Sequence, residues 1–163
     1  MNYFELFELP VSLQVDKMWL SKKYFELQKK FHPDFYTQDE AEAQKDALEK
    51  SSMINKALKT LQKPQETIKY VLQLKGLIED EEKYQLPPGF LMEMMELNEK
   101  LLEEDAEEFR REVDVLESTL YSEVQNIIEN YNDQTVTNDE LLKVKEYYFK
   151  KKYLQRILDR LDD

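Results

Sequence analysis

Apolar side chains recur along this chain at helical spacing, and polar or proline-bearing breaks divide the pattern into separate segments. Leu20, Tyr24, Leu27 and Phe31 follow at intervals of four, three and four, which places them on one face of a helix, and Asp16 stands where a side chain caps the first amides. Pro33 disfavours helical geometry at the residue before it, so this helix is predicted to stop at His32. After a loop from Phe35 to about Asp39, a second helix is predicted to turn Leu48, Ile54, Ala57, Leu58 and Leu61 inward and to pack antiparallel to the first. Pro64 suits a first helical position and Gly76 a helix end, with Ile68, Val71 and Leu72 facing inward between them.

Residues 79–83 form a charged connector and Pro87-Pro88-Gly89 a stiff break, which puts a domain boundary near residues 76–88. Beyond it one helix is expected from about Pro88 to Leu102. A second carries Phe109, Val113, Leu116, Leu120 and Ile127, and a polar turn occupies Asn132 to Thr137. Thr137 and Glu140 make a capping box for a last helix with Tyr147, Leu154, Leu158 and Leu161 inward. The pattern predicts an all-α chain of two domains. Residues 1–76 hold an antiparallel helical hairpin with short flanking helices, 77–88 connect, and 89–163 form an antiparallel three-helix bundle.

Composition supports helices: the 163 residues include two glycines and five prolines, and 41% are apolar. The chain contains no cysteine, which excludes disulfides, thiolate zinc sites, a thiolate nucleophile and a cluster held by this protein's own thiolates. No apolar run approaches the ~20 residues that span a bilayer. Met1 to Leu9 carry no basic leader, so an unexported protein of a reducing cytoplasm is expected. The net charge of -12 disfavours binding to nucleic acid phosphates. That total conceals an uneven distribution. Residues 17–31 carry Lys17, Lys22, Lys23, Lys29 and Lys30 against Glu26, whereas residues 79–117 carry fifteen acids against four basic side chains.

The one histidine lies in His32-Pro33-Asp34, directly after the lysine-bearing helix. No EF-hand loop or pair of spaced histidines suggests a metal site, and no activated nucleophile accompanies His32, so neither metal, cofactor nor catalytic residue is assigned. On chemistry alone, His32 and Asp34 serve equally well as turn-forming residues that satisfy local amides. The neighbours add to this. His32-Pro33-Asp34 after a basic helix, followed about twenty residues later by Ile54-Asn55-Lys56-Ala57, resembles the J domain of J-protein co-chaperones. The continuation through Tyr70-Val71-Leu72 into Phe90-Leu91-Met92-Glu93-Met94-Met95-Glu96-Leu97 is similar to HscB-type co-chaperones of iron-sulfur cluster biogenesis, and the likeness covers nearly the whole length.

The resemblance implies that Lys22, Lys23, Lys29, Lys30, His32, Pro33 and Asp34 dock on a DnaK- or HscA-class ATPase chaperone and stimulate its ATP hydrolysis. It implies as well that the C-terminal bundle holds an IscU-type scaffold for delivery to that chaperone. Some eukaryotic members carry an extra cysteine-rich zinc segment that this chain lacks, which favours a bacterial member. Two positions depart from the common pattern of J domains. Leu58 stands where an aromatic residue is frequent and Phe35 where a basic one is, and both bear on the choice of chaperone.

The helix from Pro88 adds a reading of its own. At about 100° per residue, Phe90, Met94, Leu97 and Leu101 share one line, while Leu91, Met92 and Met95 fall off it among Glu93, Glu96 and Glu99. An apolar arc this wide exceeds one buried face, so Leu91, Met92 and Met95, rimmed by Glu96 and Glu99, are expected to form a partner-binding patch. Tyr153 lies off the stripe of the last helix and matches an aromatic position that resembles the family's client contact. Two rivals stay open: a J protein serving a different client, and an acidic helical scaffold with a chance tripeptide.

Overall fold

The computed structural model describes residues 1–103 and 105–160. Its described elements are α1 (Tyr3–Leu6), α2 (Lys17–Phe31), a 3₁₀ turn (Pro33–Tyr36), α3 (Ala41–Leu61), α4 (Pro64–Leu74), α5 (Pro88–Glu103), α6 (Ala106–Ser122), α7 (Gln125–Glu129) and α8 (Asn138–Asp159). There is no strand among the described residues. The chain packs as two compact units, Met1–Val71 and Leu72–Asp163, so the division falls inside α4.

In the first unit, Asp16 caps α2 by accepting from the amides of Met18 at 2.8 Å and Trp19 at 3.1 Å. The side chains of α2 then meet α3 in falling order. Tyr24 and Gln28 both donate to Asn55 Oδ1, at 2.9 and 3.1 Å, whereas Phe31, further along α2, lies under Lys50, earlier on α3. That register is antiparallel. Leu20, Ala47, Ile54, Ala57 and Leu61 are buried between these helices and Phe4, Phe7 and Leu13 of the N-terminal segment. Tyr24, Leu27 and Phe31 are half-buried.

Leu48, expected inward, is 59% exposed. The inward stripe of α3 runs through Ala47 and Ser51 instead, and Leu48 is turned about 100° from Ala47. The expectation favoured the larger apolar residue, whereas a small pair occupies the buried side. The turn into α4 is fixed by the buried Thr67 hydroxyl, whose nearest acceptor is the Lys63 carbonyl at 3.0 Å. Ile68, Val71 and Leu72 are buried as the periodicity predicts.

The second unit begins with a glycine-terminated helix end. Gly76 takes φ +68° and bonds to the Gln73 carbonyl, while the Leu77 amide reaches back to Leu72 at 2.9 Å. The segment that follows lies against α8: Lys145 pairs with Glu82 at 2.7 Å, and Tyr84 stacks on Phe149 with ring centres 4.6 Å apart. A further tie joins Lys75 to Asp133 at 2.7 Å, and Tyr131 donates to the same carboxylate at 2.7 Å.

Three long helices, α5, α6 and α8, share the core of this unit through Phe90, Met94, Phe109, Val113, Leu120, Leu141, Val144 and Leu154. The helix expected to run on to Ile127 stops at Ser122. Its end is tightened by bonds from the Glu123 and Val124 amides to residues three back, and the Thr119 and Ser122 hydroxyls take backbone carbonyls of the same turn. The separate α7 buries Ile128 and leaves Ile127 half-buried. The predicted capping box opens α8: the Glu140 amide donates to Thr137 Oγ1, and the Thr137 amide donates to the Glu140 carboxylate, both at 3.1 Å. Leu158 is half-buried, and Leu161 lies outside the described residues.

Candidate functional sites: a histidine turn and a methionine patch

The site in the first unit is built by the way α2 ends. The His32 amide closes the last turn on the Gln28 carbonyl at 2.9 Å, but Pro33 holds His32 itself extended, at φ -61° and ψ 131°. The chain therefore leaves the helix at His32 and enters a single 3₁₀ turn. Three side-chain bonds brace it: Tyr36 donates to the Lys30 carbonyl at 2.7 Å, and Gln44 donates to the carbonyls of Thr37 and Asp39 at 3.2 and 2.9 Å.

Within the turn, His32 Nδ1 accepts from the Asp34 amide at 3.2 Å. The Asp34 carboxylate approaches the same nitrogen to only 3.6 Å, an attraction that requires a protonated ring. A nitrogen that accepts an amide proton carries none of its own, so in the tautomer that this bond requires the ring proton sits on Nε2. His32 and Asp34 are both exposed. The turn thus presents an N–H donor and a carboxylate side by side, oriented by local bonds.

The lysines divide into distinct groups. Lys22 and Lys29 lie on the outward line of α2 that ends near His32, and Lys30 flanks it with its ammonium 5.2 Å from the Phe31 ring. Lys23 is different. Its side chain is 12% exposed and pairs with Glu8 at 2.7 Å and Glu26 at 3.5 Å. The hydrogen bond from Lys23 holds the Glu8 carboxyl below its ordinary value, and the same bond raises Lys23.

Sequence reading missed two features here. Phe25 is 65% exposed between Lys22 and Lys29, a position that the Leu20, Tyr24, Leu27, Phe31 stripe already turns outward. Asn55 clamps α2 to α3 through one oxygen, which no periodicity reveals because the bonds join polar atoms, the Tyr24 hydroxyl and the Gln28 amide.

In the second unit, α5 buries Phe90, Met94 and Leu97. Met92 and Met95 are 63% and 64% exposed, Leu91 is half-buried, and Glu93, Glu96 and Glu99 are exposed beside them. Leu91, Met95, Glu99 and Met92 fall within an arc of about 100°, with Glu96 at its edge. Tyr153 of α8 is half-buried and meets Phe90 edge-on at 6.1 Å. Leu91 and Tyr153 line one groove of about 740 Å³ with Tyr84, Phe149, Lys152 and Arg156. Among the described residues no group of three or more His, Asp or Glu side chains is placed to hold a metal ion. None of their helices is long and apolar enough to cross a membrane.

An antiparallel hairpin with His-Pro-Asp at its turn, followed by a C-terminal helical domain, defines a J-domain co-chaperone. Residues 86–162 match the family described as HSCB C-terminal oligomerisation domain. The iron-sulfur cluster co-chaperone protein HscB of Homo sapiens is 32% identical over 98% of this chain and 67% of its own length. A co-chaperone protein HscB homolog of Vibrio vulnificus is 37% identical over 82% of this chain and 81% of its own. Another, from Vibrio cholerae, is 41% identical over 62% of this chain, which spans 60% of that relative. Among solved structures, chaperone HscB from Vibrio cholerae superposes with a TM-score of 0.76 over 99% of this chain and 96% of that one, at 29% identity. Human co-chaperone protein HscB gives 0.80 over 99% and 81%, also at 29%. The chain belongs to the HscB family of co-chaperones of iron-sulfur cluster biogenesis.

Proposed function

We propose that this protein stimulates the ATPase of a DnaK- or HscA-class chaperone and delivers an IscU-type scaffold to it, without catalysis of its own. The observation that carries the reading is the braced turn holding His32 and Asp34 exposed at the end of a helix that also presents Lys22 and Lys29. The lysines would steer an acidic chaperone surface, Pro33 would fix the turn, and His32 and Asp34 would make the specific contacts. Lys30 contributes to the same field. Lys23, already paired with Glu8, is assigned a supporting part.

The scaffold would bind the arc of Leu91, Met92 and Met95 with Glu96 and Glu99 at its rim and Tyr153 nearby. Methionine suits such a surface because its unbranched side chain adapts to a partner. In this reading residues 1–76 act on the chaperone and residues 89–163 on the client, with 77–88 between them. Neither nucleic acid nor membrane takes part, and the cytoplasm of a bacterium is the assigned location, in keeping with the Vibrio relatives. The deciding measurement is the steady-state ATPase rate of a DnaK-class chaperone with this protein, with and without an IscU-type scaffold. Stimulation that rises further with scaffold supports the reading; stimulation indifferent to scaffold would indicate a different client.

A further inference from the structure

Scattered apolar residues on a surface are ordinary, so one exposed phenylalanine carries no argument. Here two of them flank the tripeptide. Phe25 is 65% exposed on the outward line of α2, three residues after Lys22 and four before Lys29, and Met18 continues that line one turn before Lys22. Two turns beyond Phe25, about 10 Å along the axis, stands His32. Phe35 follows in the 3₁₀ turn, 66% exposed, with its ring edge-on to the imidazole at 6.2 Å. The surface reads Met18, Lys22, Phe25, Lys29, His32, Phe35: apolar and basic groups alternate from Met18 to Lys29, and His32 stands between Lys29 and Phe35.

We infer that Phe25 and Phe35 are apolar anchors of the chaperone interface and give this protein a docking energy that salt does not screen. The inference rests on the docking reading above and names the partner's chemistry more closely: two apolar depressions on the ATPase chaperone, set in an acidic surface. The alternation supports that occupant. Lysines at both neighbouring positions favour an acidic rim around whatever receives Phe25, and the line is continuous with His32 and Asp34. Large aromatic rings become energetic centres when their surroundings exclude water, and flanking charged side chains supply such a rim. Phe35 stands where J domains commonly carry a basic residue, so an apolar contact replaces a charged one at that place.

The test is titration of a DnaK-class chaperone with the full chain, Phe25→Ala, Phe25→Leu and Lys22→Glu/Lys29→Glu at several salt concentrations. Circular dichroism verifies the fold of each variant. Phe25→Ala is expected to weaken binding about tenfold or more at every salt concentration with an unchanged salt slope, and Phe25→Leu to recover most of the loss. The lysine variant is expected to flatten the slope. Wild-type affinity in Phe25→Ala would overturn the inference while leaving the docking reading intact. Loss of salt dependence in Phe25→Ala would overturn it as well, since the ring would then act only through the lysines. A wild-type chain that neither binds nor stimulates the chaperone would overturn reading and inference together. Sedimentation of the chain alone identifies the remaining case: self-association abolished by Phe25→Ala, with chaperone binding unaffected, would assign the face to a second copy.

Discussion

His32 commits one ring nitrogen, Nδ1, to a bond inside its own turn, while the residue as a whole is exposed. The inward bond is exposed and contributes at most about 1 kcal/mol to stability. We therefore expect His32→Gln to abolish chaperone stimulation while its melting curve stays close to wild type. Full stimulation by the folded variant would remove His32 from the docking surface. The tripeptide was legible because Pro33 acts on its neighbour's backbone by simple sterics. The division among the lysines was not legible, since Glu8, fifteen residues before Lys23, reaches it only in the folded unit. Lys22 and Lys23 look equivalent in sequence and have different surroundings in the structure.

Helix faces set the next expectations. Lys22→Glu with Lys29→Glu should slow association with the chaperone at low salt, whereas Lys23→Met should change the rate little because its charge is already compensated by Glu8. Equal rates for all three proteins in stopped-flow measurements would exclude this face. On α5, replacing Leu91, Met92 and Met95 together with Ala should remove about 2–4 kcal/mol of scaffold binding while basal stimulation of the chaperone survives. Calorimetric titration with an IscU-type scaffold measures the first and an ATPase assay without scaffold the second; unchanged scaffold affinity would exclude the patch. Periodicity located α2, α4, α5 and α8 well, because capping residues, prolines and a glycine mark their ends. It failed at Leu48, where a small pair faces inward, and at Ile127, where hydroxyl groups at the end of α6 favour a break that an apolar stripe does not register.

For the whole chain, acid acts through lowered carboxyls in both units: the exposed Glu8 in the first, Glu82 and Asp133 in the second. The bond from Lys145 holds the Glu82 carboxyl below its ordinary value. Burial pushes Asp133 up, but the bonds from Lys75 and Tyr131 outweigh it and leave that carboxyl lowered too. Carboxyls lowered by folding bind protons more readily in the unfolded chain. They stabilise the fold above their ordinary values of 4.5 and 3.8 and lose that contribution as pH falls through the folded values. The melting midpoint should be steady near neutrality and drop below about pH 4.5, and Glu82→Gln should make the drop shallower. Identical pH profiles for the two proteins would remove Glu82 from the acid response. A melt can also be assigned to one unit. The chain's single tryptophan, Trp19, lies exposed on α2 with the Lys22 ammonium 6.0 Å from its ring, so selectively excited indole emission reports on the first unit alone. Far-ultraviolet dichroism sums the helices of both. Superimposed traces would mean one cooperative transition, and displaced traces would give each unit its own midpoint, read from an unlabelled protein in a single heating scan.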